Sequence, residues 1–192
     1  MKFTSVSFLL LLVLSACSAQ GIPEINIQIQ QALLALPEEL RDEATVLGYK
    51  DDLKLSVIRK GSNSMICLAD NPQKDGFSVA GYHKDLDPFM ERGRVLKREG
   101  KSAKEIFDIR EEEVASGKIK IPGGSVLYIA SGIFDEQDQP SEIYQRFVVY
   151  IPYATTKSTG LALKPSYPGG PWIMNPGTHR AHIMINPTRV EQ

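Results

Sequence analysis

The chain has 192 residues with 22 basic and 23 acidic side chains, a formal net charge of −1 at pH 7 and 42% hydrophobic residues. This near neutrality, with neither sign concentrated in one half, argues against a nucleic-acid partner, which would need a basic face. After the first segment, no apolar stretch approaches the roughly 20 residues that a membrane-spanning helix needs. We therefore predict no membrane span in the mature chain.

The first segment has the layout of an export signal. Lys2 precedes an apolar run over residues 8–14, and small residues follow that run. Residues 14–17, Leu-Ser-Ala-Cys, are typical of a lipoprotein-processing site, where Cys17 would carry the acyl chains and become the first mature residue. Ordinary secretory cleavage after Ala19 is the alternative.

These features predict a signal peptide over residues 1–16, an anchor and tether over 17–36, and a single globular domain over 37–192. About 175 mature residues are a normal size for one domain. The expected location is the cell envelope, with membrane lipid as the partner of acylated Cys17. Ser after this cysteine favours the outer membrane in a diderm cell, and a secreted or periplasmic soluble protein is the alternative.

The first half of the domain suggests one helix and three strands. Proline followed by acidic residues over 37–43 is typical of the first turn of a helix, which we expect to end by residue 48. Residues 53–60 and 65–69 flank the turn-forming sequence Gly-Ser-Asn-Ser and predict a β-hairpin. Residues 77–82 form a third predicted strand.

Two helices are expected in the middle of the chain. Asp87 followed by proline predicts a helix start, in which the Asp side chain caps the backbone, and this helix ends before Gly100. Ser102 and Glu105 have capping-box spacing ahead of a second helix. Only Arg110 interrupts the apolar face of that helix.

The last third of the chain is richest in strands and turns. Residues 125–130 and 147–151 predict two strong strands that pair as sequence neighbours. A proline- and glycine-rich stretch follows, and residues 181–186 form a last strand. We predict an α+β fold with a mostly antiparallel sheet of about six strands and about three helices.

Residues 61–68, 82–90 and 176–184 resemble segments of a family of exported bacterial proteins that has no assigned activity. The resemblance covers most of the mature domain. It implies no activity, cofactor or catalytic residue.

The three histidines are the first candidates for catalysis. His179 and His182 lie beside the proline- and glycine-rich stretch, and histidine is a common general base and metal ligand. If both lie in a strand, their side chains point to opposite faces. His83 could join them only if the fold brings it close. A hydrolase or metal-dependent enzyme using His83, His179 and His182 is therefore the alternative hypothesis, and we predict no metal and no cofactor.

Cys67 is the second candidate nucleophile. If Cys17 is acylated or removed, Cys67 has no partner within the chain. Its apolar neighbours favour a buried thiol, while pairing between chains or a reactive thiol remain alternatives.

Aromatic residues near the C terminus suggest a binding surface. Trp172, Tyr153 and Tyr167 flank or lie in the proline- and glycine-rich stretch, and their polar atoms suit recognition of a ligand. The acidic run 111–113 is interpreted as a solvated helix face. Our leading hypothesis is an envelope protein, not an enzyme, that binds an unknown ligand or envelope protein, and a structural or assembly factor is a third possibility.

Overall fold

The computed structural model describes residues 21–188 and confirms the α+β class. The signal segment and Cys17 lie outside the described residues. Within residues 21–188 there are four α-helices and eight strands in one sheet, more than the three helices and six strands expected. The helices are α1 (Ile25–Leu33), α2 (Asp87–Arg98), α3 (Ala103–Ala115) and α4 (Thr156–Thr159), and the strands are β1 (Thr45–Tyr49), β2 (Leu55–Arg59), β3 (Met65–Leu68), β4 (Phe77–His83), β5 (Val126–Phe134), β6 (Pro140–Tyr150), β7 (Trp172–Met174) and β8 (His182–Ile185).

The strand order is β2-β1-β3-β4-β5-β6-β8-β7. β1 and β3 run parallel and the other neighbours run antiparallel, so the sheet is mixed. The predicted pairing of β5 with β6 is confirmed. β2 and β7 are the two edge strands.

The predicted hairpin over residues 53–69 is wrong, because β1 lies between β2 and β3. The chain leaves β2 and crosses the start of β1 before it enters β3. Gly61 lies at this crossing, where a Cβ atom would overlap the backbone carbonyl of Glu43 and approach the backbone nitrogen of Thr45 to 2.5 Å. Only glycine lets the two backbones pass this closely.

The helix expected after Pro37 is also wrong. The acidic residues form a single 3-10 turn over Glu38–Leu40, and the chain then enters β1. Alternate residues of β1 are buried, including Val46, which is fully shielded opposite Cys67 on β3. This pairing with a strand some 20 residues later outweighs the local helical signal.

Residues 25–36, which the sequence analysis assigned to a tether, belong to the folded domain. α1 packs on one side of the sheet, here called the α1 face, with Ala32 and Leu36 fully buried. The Gln28 side chain accepts a hydrogen bond from Tyr49 N–H at 2.7 Å and donates to the Tyr49 carbonyl at 3.0 Å. The apolar residues of this segment therefore form core contacts, which a tether would not make.

α2 and α3 cover the opposite side of the sheet, here called the helix-pair face. Its core contains Tyr82, Phe89, Leu127, Val148 and Tyr150. The predicted capping box of Ser102 and Glu105 is present at the start of α3. Asp87 begins α2 but does not cap it, because its carboxylate accepts hydrogen bonds from Tyr82 and Arg94.

The C-terminal segment wraps around the β7 edge of the sheet. Ile173 N–H bonds the carbonyl of Ala162, so the preceding loop runs beside β7. His182 opposes both Tyr150 and Met174, so these three side chains lie on the same face of the sheet.

No helix within residues 21–188 has the length and hydropathy needed to cross a bilayer.

Candidate functional site

The structure brings two predicted residues, His179 and Tyr153, together beside Glu111 of α3, while a third, His182, lies on β8. His182 opposes Tyr150 on β6, and the centroids of their rings are 5.9 Å apart. His179 lies in the turn before β8, and Tyr153 follows β6. His179 and Tyr153 both interact with Glu111 of α3. We call Glu111, Tyr153 and His179 the His179 cluster.

Glu111 organises this cluster. One of its carboxylate oxygens accepts from the His179 backbone N–H at 2.9 Å and from the His179 ring Nδ1 at 2.7 Å. The Tyr153 hydroxyl lies near the same carboxylate and helps to lower its pKa. Because an ionised carboxylate only accepts, the proton of neutral His179 is on Nδ1. Burial alone would raise the pKa of Glu111, but these hydrogen bonds lower it below its usual range.

His179 is enclosed by aromatic rings. The centroid of its ring lies 4.8 Å from the Phe107 ring centroid and 5.7 Å from the Phe89 ring centroid. The His179 side chain is fully buried. Its Nε2 atom is shielded and has no hydrogen-bond partner within the described residues. Burial lowers the pKa of His179, so the ring stays neutral at pH 7. A substrate cannot reach this nitrogen in the observed conformation.

Arg110 explains why a charge interrupts the apolar face of α3. Its guanidinium lies 3.3 Å from the centre of the Phe89 ring, and a Cβ at Gly93 would be 2.8 Å from its Nη1. The guanidinium stacks on the aromatic face of Phe89, and the absence of a side chain at Gly93 leaves room for it. Burial lowers the pKa of Arg110 to about 10, which leaves it charged at pH 7. This contact joins α2 to α3.

His182 is also held as a neutral, buried ring. Its Nδ1 donates to the Arg180 carbonyl at 2.6 Å, because a carbonyl can only accept. Burial lowers the pKa of His182, and the nearby Arg180 cation acts in the same direction. Both C-terminal histidines therefore resist protonation.

His83 does not join them. It follows Tyr82 on β4, and Tyr82 belongs to the helix-pair face, so strand alternation directs His83 to the α1 face. There it lines an open cavity of about 370 Å³ with Ser125 and Met65. Asp85 N–H donates to His83 Nδ1 at 3.2 Å. The enzyme hypothesis based on three convergent histidines therefore lacks its geometry.

Cys67 lies on β3 against α1. Its thiol is fully buried, and burial raises its pKa to about 12. The thiolate form needed for nucleophilic attack is therefore suppressed. Within residues 21–188, no three His, Cys, Asp or Glu side chains are grouped so as to hold a metal ion.

The predicted aromatic residues surround the β7 edge. Trp172 is half-buried opposite Met184, while Tyr153 and Tyr167 are 43% and 64% exposed. Met174 on β7 is also exposed, as is Leu163, which follows the residue whose carbonyl bonds Ile173 N–H. We call these exposed residues, Tyr153, Leu163, Tyr167 and Met174, the β7 margin.

Sequence reasoning missed Glu111 and misinterpreted the acidic run that contains it. Glu111 binds His179, and Glu113 is 7% exposed and accepts from Arg92 and Lys118. Of the run, only Glu112 is an exposed residue. The run is predicted to face solvent, but the loop that carries His179, 68 residues later in the chain, covers Glu111, and Arg92 and Lys118 cover Glu113.

Comparisons with protein-family models, with curated proteins and with solved structures found no match to this chain.

Proposed function

We propose that this chain is a lipid-anchored cell-envelope protein whose domain binds a ligand or an envelope protein and is not an enzyme. The observation that carries the binding role is the β7 margin, where four large apolar side chains are exposed around one sheet edge. Grouped exposed apolar residues mark interaction sites more often than isolated ones do. Secretion without a lipid anchor is the alternative location.

Tyr153 of the β7 margin has a constrained backbone, which favours binding. Tyr153 has a φ of 62°, a left-handed conformation that side-chain-bearing residues rarely adopt. Its N–H donates to the Thr178 carbonyl at 2.8 Å, and its hydroxyl interacts with the Glu111 carboxylate. An aromatic side chain on a constrained backbone loses less conformational entropy on binding than one on a flexible loop.

The histidine environments support a binding role over a catalytic one. His179 and His182 are each committed through Nδ1, and both are at most 6% exposed. General acid–base catalysis needs a titrating group within reach of the substrate. Here the two rings instead fasten the C-terminal loop to the sheet and α3.

The anchoring proposal is tested by metabolic labelling with an alkyne-bearing fatty acid in a host that processes lipoproteins. We expect label on the wild-type chain and none on Cys17→Ala, with both forms folded. Cys67→Ala is the matched control and should retain the label. Label retained on Cys17→Ala would contradict the anchor.

The binding proposal is tested through Trp172, which is the single tryptophan of the chain. Its emission is followed during titration with muropeptides and with short apolar peptides. We expect saturable quenching or enhancement by one of these classes, weakened about tenfold by Tyr153→Ala or Tyr167→Ala. The control is Ile133→Ala, an apolar residue on β5 whose 49% exposure lies between those of Tyr153 and Tyr167. The absence of a response to both classes, or an equal loss in the control, contradicts the β7 margin as a binding surface.

A further inference from the structure

A second site lies on the α1 face, away from the β7 margin. Between α1, the loop after β3 and the β5–β6 hairpin is a cavity of about 240 Å³, here called the α1 cavity. Gln31, Asp70, Phe134 and Asp138 are among its lining residues. We propose that the α1 cavity binds a small ligand carrying a primary alkylammonium group.

Gln31 points to a missing partner. Its side chain is 6% exposed and lines the α1 cavity, yet it makes no hydrogen bond within residues 21–188. Its neighbour Gln28, also a cavity residue, has both amide atoms bonded, to Pro23 and Tyr49. Buried amides are ordinarily satisfied. Gln31 therefore offers a free carbonyl oxygen and free N–H groups to whatever fills the cavity.

The charge of the α1 cavity selects a cation. Asp70 accepts from Ser78 N–H at 2.8 Å and forms no ion pair within the described chain, although Lys74 of the same loop acts on it electrostatically from a longer distance. Burial raises the pKa of Asp70 above its ordinary value. Asp138 adds a second carboxylate from the hairpin loop, at a φ of 56°. The cavity lining contains two acids and no basic residue.

The apolar part of the lining limits what the cation carries. Phe134 borders the α1 cavity together with Pro23 and Pro72. An aromatic face attracts an ammonium group, and the prolines contact methylene groups without offering N–H donors. The volume lies just below the usual range for ligand pockets, roughly 300–1,000 Å³, so the ligand has few heavy atoms. A short alkylamine or diamine has this combination of charge and apolar length.

The proposal is tested by calorimetric titration of the chain from residue 18 with pentane-1,5-diamine, with pentane-1,5-diol as the uncharged probe. We expect saturable binding of the diamine and none of the diol. Asp70→Asn keeps the Ser78 hydrogen bond but loses the charge, and should weaken diamine binding at least tenfold. Gln31→Met keeps the volume and should also weaken it about tenfold.

Two further variants keep the result specific. Asp75→Asn removes an exposed acid from the same loop as Asp70 but outside the cavity lining, and should bind as wild type does. Asp138→Asn removes the exposed second carboxylate of the lining without altering a buried group, and should also weaken diamine binding. Circular dichroism checks the fold of each variant. No saturable binding, equal binding of the diol, or equal losses in Asp75→Asn and Asp70→Asn would each overturn the proposal.

Discussion

Gln28 provides a direct test that α1 is part of the folded domain. It is 3% exposed, and its amide satisfies both backbone groups of Tyr49 and bonds the Pro23 carbonyl at 2.8 Å. Replacement by alanine removes all three hydrogen bonds and leaves the Tyr49 N–H and carbonyl without their partner. At about 1–2 kcal/mol for each group left unpaired, we expect Gln28→Ala to lower the free energy of unfolding by about 2–4 kcal/mol.

The measurement is urea unfolding of the chain from residue 18, followed by circular dichroism. Gln28→Met separates the two causes of destabilisation, because it keeps most of the side-chain volume and loses only the hydrogen bonds. Asn26→Ala is the matched control, an exposed residue of the same helix, and should change stability by no more than about 0.5 kcal/mol.

The outcome distinguishes a folded helix from a tether. If residues 17–36 were a tether, Gln28→Ala and Asn26→Ala would be indistinguishable, and that equality would refute the place of α1 in the domain core. Unequal slopes of free energy against urea would instead show a change in the surface exposed on unfolding.

The packing leads to three further predictions. Burial lowers the pKa of His179 and His182, so the unfolded chain takes up protons first as the pH falls below about 6.5, and stability should fall by up to roughly 1.4 kcal/mol per pH unit for each ring. Urea midpoints that stay equal between about pH 7.5 and 5.5 would contradict this. Gly61→Ala should cost about 3 kcal/mol, because its Cβ overlaps the backbone at the start of β1; a thermal scan showing wild-type stability would refute it. Cys67, fully buried with a pKa of about 12, should react with a thiol reagent only as the protein unfolds, and rapid labelling under native conditions would show otherwise.

Local patterns in the sequence predicted the elements that depend on neighbours along the chain. The capping box of Ser102 and the pairing of β5 with β6 are both present. In each case the interacting groups are close in sequence, so their spacing alone specifies the contact.

Elements that depend on distant contacts were mispredicted. Thr45–Tyr49 contains strand-favouring Thr, Val and Tyr, but its place between β2 and β3 is set by pairing across the sheet. Pro37 and the acids after it form one turn and no more, because Ala44 and Val46 are buried against α1 and β3. Tertiary burial outweighs a helix-start pattern that is worth only a fraction of a kcal/mol per residue.

The candidate sites were harder to predict than the fold. Glu111 differs from Glu112 in sequence only by one position, yet one binds His179 and the other is exposed. Gln31 shows no motif at all, and its free amide is evident only once Asp70 and Phe134 enclose it. Such sites arise where three separate segments meet, which periodicity within one segment does not encode.

If Cys17 is acylated as proposed, the packing of α1 limits how far the domain extends from the membrane. The peptide units between Cys17 and Gly21 span at most about 14 Å, whereas a free chain as far as Pro37 would span about 70 Å. The domain would then remain close to the bilayer surface. A binding partner in a facing membrane or wall layer would then have to approach that surface, because the segment between Cys17 and Gly21 is too short to span the gap.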